Sequence, residues 1–147
     1  MKSVGILAAV LCLVACAQPV PLTATLDASA SRLETVGSTV QLVVKVSDTG
    51  PTIPHLGLVF RTADLWYKTH RMTDLGGCTI DTESSAFDCG NLDANQSKTY
   101  SFAGVATTAG TFHYELAMRE LVQPYDYVDD HPDGPDVQSW DETVTAS

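Results

Sequence analysis

Thr39-Val40-Gln41-Leu42-Val43-Val44-Lys45-Val46-Ser47 is the stretch from which the fold is read. Val40, Leu42, Val44 and Val46 fall on one side of an extended chain and Gln41 and Lys45 on the other, the two-residue period of a half-buried strand. Asp48-Thr49-Gly50-Pro51 then ends it as a turn. Thr25 to Leu33 alternates more loosely, while Leu56 to Thr62 and Leu65 to Met72 are β-rich runs parted by Ala63-Asp64. Thr79-Ile80 and Phe87-Asp88-Cys89 read as short strands. Thr99 to Thr107 puts Tyr100, Phe102 and, past Gly104, Ala106 on one side; Ala109-Gly110 turns into Thr111 to Leu121, and Val137 to Ala146 closes the series. Roughly seven to nine short strands about ten residues apart, with no helical period after the N-terminal leader, predict an all-β, Ig-like antiparallel sandwich.

Composition agrees with one such domain. The 147 residues are 44% hydrophobic and 18% charged, a balance that buries a core. Eight Lys and Arg against eighteen Asp and Glu give a net charge of −10, and no basic stretch interrupts it. A surface for nucleic-acid phosphates has nothing to be built from.

The N-terminus carries an address. Met1-Lys2-Ser3 supplies a positive charge, Val4 to Val14 is an apolar or small run, and Ala15 precedes Cys16. Gln18 and Pro19 cut the run short of the about twenty apolar residues that a membrane-spanning helix needs. Leu13-Val14-Ala15-Cys16 resembles the lipobox of bacterial lipoproteins, which implies cleavage of residues 1–15 and diacylglycerol on the Cys16 thiol. Residues 16–24 then form a short Pro-containing tether reaching about 25 Å, ahead of a domain over 25–147. With Cys12 removed and Cys16 lipidated, Cys78 and Cys89 remain in an exported chain and are expected to pair. Neither has a CxxC partner or a nearby His to suggest a metal.

The string Val40 to Gly50, then Gly76-Gly77-Cys78-Thr79-Ile80, then Phe87-Asp88-Cys89-Gly90-Asn91-Leu92-Asp93-Ala94 resembles the conserved-repeat Ig-like domains of bacterial surface proteins. In that family a strand ends in an Asn-Thr-Gly-like turn, two cysteines bracket a short hairpin and a Gly-x-Leu corner follows. The match covers most of Thr25 to Thr145, with two departures. Asn95 stands where a Gly is usual, and the loop before the last strand is long and acidic. The resemblance implies a spacer or adhesive module of the cell envelope without catalysis, although a single copy on a lipid departs from a stalk of repeats.

Asp126, Asp129, Asp130, Asp133 and Asp136, with Asp141 and Glu142, place seven carboxylates in seventeen residues without a Lys or Arg. That is an oxygen supply suited to Ca²⁺, yet Asp129-Asp130-His131-Pro132-Asp133-Gly134 lacks the EF-hand offsets. It reads as a solvated acidic loop, with a Ca²⁺-dependent binding module on Asp126, Asp129, Asp130, Asp133 and Asp136 as the alternative. His70 with Met72, and His113 with Met118, offer imidazole and thioether for copper at weak spacing. No Gly-x-Ser-x-Gly elbow and no free Cys supports a hydrolase, and Trp66, Tyr67 and Trp140 read as core or sheet-face residues. The expectation is a non-enzymatic, lipid-anchored module at the bacterial envelope with no cofactor, its partners the membrane and an envelope protein or glycan. Its surfaces of interest are the acidic loop and Thr62 to Thr73, where Lys68, His70 and Arg71 look exposed. Ala17 in place of Asp favours the outer membrane in a Gram-negative cell and otherwise the outer face of the cell membrane.

Overall fold

A computed structural model describes residues 22–121 and 134–147. The leader, Cys16 and most of the tether lie outside the described residues, as do Asp126, Asp129, Asp130 and Asp133. The described residues form two packed sheets. One is ordered β1 (Ala24–Ala30), β3 (Thr39–Asp48), β8 (Ser97–Ala106) and β5 (His70–Asp74). The other is ordered β2 (Leu33–Thr35), β10 (Val137–Thr145), β9 (Gly110–Glu120), β4 (Leu56–Phe60), β7 (Ala86–Asp88) and β6 (Thr79–Asp81). Every pairing is antiparallel except β2 with β10, which is parallel.

The deciding stretch behaves as its period requires. Val40, Leu42, Val44 and Val46 are buried, with Gln41 and Lys45 outside. From the same sheet β8 sends in Tyr100, Phe102 and Ala106, and from the other β9 sends in Tyr114, Leu116 and Met118. Phe87 stacks on Phe102 at 4.2 Å between centroids and meets Phe60 edge-on at 5.6 Å, which joins the two inner faces.

Two segments differ from the sequence reading and raise the strand count among the described residues to ten. The Thr25 to Leu33 run is two strands, because the chain crosses at Ser31-Arg32 from the edge of one sheet to that of the other. Thr143 N–H donates to Arg32 O and Val36 N–H to Thr145 O, which hold β2 beside β10. Leu65 to Met72 is not one strand either: Trp66–Thr69 forms a single helical turn, α1, before β5. Trp66 and His70 are both buried, and an extended chain would carry Lys68 inward between them. A helical turn brings positions four apart together and leaves Lys68 outside.

The disulfide between Cys78 and Cys89 forms as expected, closing the base of the β6–β7 hairpin. Asn95, at the position where the family resemblance expects Gly, has φ +59°. The backbone there demands the left-handed region, and Asn is among the few residues that accept it. Loss of the cross-link by Cys78→Ala with Cys89→Ala frees a loop whose closure entropy stabilises the fold by roughly 3 kcal/mol. The thermal midpoint of the oxidised protein is expected to exceed that of the double variant by about 10 °C, measured by circular dichroism. An unchanged midpoint would contradict this role.

Candidate functional site

Polar chemistry is concentrated between the sheets. On β10 the inward positions are Trp140, Glu142 and Val144, so the period that buries the two apolar neighbours buries the carboxylate with them. Glu142 was expected in the solvated acidic group, and its 0% exposure corrects that. Opposite it stands His70, at the start of β5, which was expected on the surface and is 2% exposed. The His70 Nε2 and Glu142 Oε1 are 3.0 Å apart.

Neighbours hold the imidazole on every side. Trp66 stacks on it at 4.4 Å with an interplanar angle of 24°. Nδ1 lies 3.0 Å from the Trp66 carbonyl and 3.0 Å from Thr69 Oγ1, and Thr69 Oγ1 is 2.7 Å from the Tyr114 hydroxyl. The carbonyl only accepts, so a proton on Nδ1 goes to it. Room for the ring comes from β8, where a Cβ on Gly104 would meet the His70 Cβ at 2.9 Å. Glu142 Oε2 has no hydrogen-bond partner among the described residues. Burial pushes the Tyr114 phenol far above its ordinary range; the Thr69 hydrogen bond opposes the shift, and the Glu142 and Asp64 carboxylates add to it.

This arrangement ties β5 of one sheet to β9 and β10 of the other, and it closes the copper readings. Both His70 nitrogens are taken by protein groups. His113 and Met118 point to opposite faces of β9, His113 outward against Asp141 at 2.7 Å and Met118 into the core. Trp66 and Trp140 are core residues, and Lys68 and Arg71 are exposed, as expected. Asp136 lends its Oδ2 to the Leu26 N–H at 3.2 Å, which fastens the free edge of β1 to the entry of β10. The phase of Trp140-x-Glu142-x-Val144 is the signal that could have found the buried carboxylate.

No protein-family model matches the chain, and no curated protein matches it in sequence. Among solved structures the sandwich is similar to the CARDB domain of a Pyrococcus furiosus protein in its solution NMR structure. The two are 13% identical with a TM-score of 0.51, over 85% of this chain and 96% of that one. A crystal structure of the same CARDB domain in complex with di-metal ions is 12% identical with a TM-score of 0.48, over 84% of this chain and 94% of that one. The likeness to the solution structure is one of fold, and the domain is an Ig-like β-sandwich.

Two outcomes test the buried network. His70→Leu leaves the Glu142 carboxylate buried without its partner, at a cost of about 3–5 kcal/mol in urea unfolding. Adding Glu142→Leu is expected to restore a large part of that, and simple additivity of the two changes would contradict the pairing. The second outcome concerns pH. Burial raises the phenols of Tyr67 and Tyr100 as well as Tyr114, so the fold keeps neutral a group that the unfolded chain ionises near pH 10. That stability is complete below about pH 10 and is lost as pH rises beyond it. In Tyr125→Phe with Tyr127→Phe, which leaves these three tyrosines alone, absorbance at 295 nm should show ionisation only together with loss of near-ultraviolet dichroism; ionisation near pH 10 while that variant stays folded would contradict it.

Proposed function

We propose that this protein is a non-enzymatic, lipid-anchored module of the bacterial cell envelope that acts in binding or structure through its Ig-like sandwich. The observation that carries the reading is an order along the chain. A charged start, the Val4 to Val14 apolar run and Leu13-Val14-Ala15-Cys16 stand just ahead of Ala24, where β1 begins. A tether this short keeps the sandwich near the bilayer surface, because about 3.3 Å per residue is the most an extended chain reaches. Two or three acyl chains at Cys16 make a firm anchor, each buried methylene adding about 0.8 kcal/mol.

Support for a non-catalytic role comes from where the reactive groups lie. His70, Glu142 and Tyr114 are sealed between the sheets and spent on joining them, while His113 and Asp141 pair on an open sheet face. Recognition in sandwiches falls to the loops at their ends, and exposed Lys68 and Arg71 border one such region. An envelope protein or glycan is the partner class this reading assigns. The charge of −10 argues against nucleic acid.

Phase partition tests the anchor. The full chain expressed in a bacterial host should enter the detergent phase of Triton X-114, and Cys16→Ser should shift it to the aqueous phase with an unprocessed leader. In a Gram-negative host the wild-type protein should fractionate with the outer membrane, given Ala17 after the cysteine. Identical partition of the two proteins would overturn the reading.

A further inference from the structure

Asp93-Ala94-Asn95-Gln96-Ser97 contains an Asn-x-Ser triplet without proline in its middle, the pattern at which an asparagine side chain accepts a glycan. The sequence holds no second such triplet. Its only other asparagine, Asn91, is followed two residues on by Asp93, which supplies no hydroxyl. Every residue from Asp93 to Thr99 is exposed, so the whole acceptor stretch faces water.

The local structure sets Asn95 in a tight turn. Gln96 N–H donates to the Asp93 carbonyl at 3.1 Å, which leaves Ala94 and Asn95 as the two central residues. Glycine would hold the φ of +59° at Asn95 without steric cost, and the turn makes no use of the asparagine carboxamide. That carboxamide has no hydrogen-bond partner among the described residues. The residues around it are clamped: Ala94 N–H donates to Thr52 Oγ1 at 3.2 Å, Asp93 N–H to Gln96 Oε1 at 3.1 Å, and Asp48 N–H to the Gln96 carbonyl at 2.9 Å. Ser97 opens β8, with its hydroxyl donating to Ser47 Oγ at 2.9 Å. β3 flanks it on one side, whereas β5 pairs with β8 only from Ala103 to Ala106. A strand end with one neighbour opens at little cost, so the serine can leave the ladder and offer its hydroxyl to an enzyme.

Position in the sandwich adds a second argument. Ala24, where β1 begins, pairs with Asp48, and Asp48 in turn holds Gln96, so the acceptor turn lies at the end of the sandwich that the tether enters. We propose that Asn95 is an N-glycosylation acceptor, modified with an oligosaccharide delivered from a lipid-diphosphate carrier by a membrane transferase. The carrier is a membrane lipid, and a tether reaching about 25 Å keeps this end of the domain within range of it. That argument from proximity rests on the Cys16 anchor of the proposed function; the argument from the triplet and the turn does not. In the transfer the Asn95 Nδ2 bonds to the anomeric carbon of the first sugar, and the bond from that carbon to the diphosphate oxygen breaks with its electron pair leaving on the diphosphate. The amide nitrogen gives one proton to a base of the transferase, and nothing is oxidised or reduced. Asp93, two residues ahead, adds an exposed carboxylate that a basic acceptor groove can hold; its Oδ1 is engaged by the Asn91 side-chain amide at 2.6 Å.

The test supplies enzyme and donor in vitro, so that it does not depend on export of the chain. The full chain, purified in detergent, is incubated with a bacterial oligosaccharyltransferase and a lipid-diphosphate-linked oligosaccharide, and its intact mass is measured. A gain of one glycan per chain is expected, with peptide mapping placing it on Asn95. Asn95→Gln and Ser97→Ala should each lose the gain, Ser97→Thr should keep it, and Asp93→Asn should lower it. Ser97→Ala removes one exposed hydroxyl and no backbone group, and unchanged circular dichroism separates its effect from misfolding. Absence of any gain in the wild-type chain, or a gain that survives Asn95→Gln, would overturn the acceptor. Cys16→Ser, which tests the anchor, should leave the gain in place, so failure of the anchor and failure of the acceptor are read separately.

Discussion

The contact between His70 and Glu142 is what the rest of the sandwich has to accommodate. Its partners lie 72 residues apart on opposite sheets, and neither can be buried alone without a large desolvation cost. Several local features follow from that one requirement. The chain makes a helical turn at Trp66–Thr69 so that indole and imidazole can stack while Lys68 stays in water. Gly104 leaves β8 bare where the His70 Cβ passes. Tyr114 reaches the imidazole through Thr69, so that three strands from both sheets share one set of hydrogen bonds. A pair of this kind adds little net stability compared with well-packed apolar groups, but it penalises every register that separates the partners. A one-residue slip of β10 would turn Glu142 to solvent and leave His70 facing Asp141 or Thr143 positions.

The same two-residue period explains what was legible in the chain. Thr39 to Ser47 has a clear contrast between its faces, interrupted on the outward side by Val43, and its alternation alone marks a half-buried strand. Glu142 and Asp48 occupy inward phases as regular as those of their apolar neighbours, yet a charge at such a phase is ordinarily taken as surface or turn. What makes them inward is a partner or a cavity contributed by another segment, and a single strand's pattern does not contain that information. His70 is the clearest example. Its neighbours Lys68 and Arg71 are exposed, so its environment is set by Glu142 and by the turn at Trp66, neither visible in the local pattern. Cys78 and Cys89 were readable as a pair on the expectation that a leader and a lipid account for Cys12 and Cys16, and the disulfide between them is formed.

Buried polar groups divide this domain into two kinds of interior. At the β5–β10 crossing a base faces an acid, and His70 satisfies one oxygen of Glu142 while the other has no partner among the described residues. At the end where β3 gives way to its turn, Asp48 is buried as well, with Oδ1 on the Gly50 N–H at 2.9 Å and Oδ2 without a hydrogen-bond partner among the described residues. Asp136 shows a third solution nearby, a carboxylate satisfied by the Leu26 backbone N–H at the free edge of β1. A protein with eighteen acidic and eight basic residues must leave many carboxylates without a side-chain cation. On the surface, water and salt screen such groups at little cost. Inside, each needs a proton, a backbone donor or an ion. Asp48 meets that need at one oxygen through the Gly50 N–H, and Glu142 at one oxygen through His70, so each buried carboxylate is tied to the fold by a single atom.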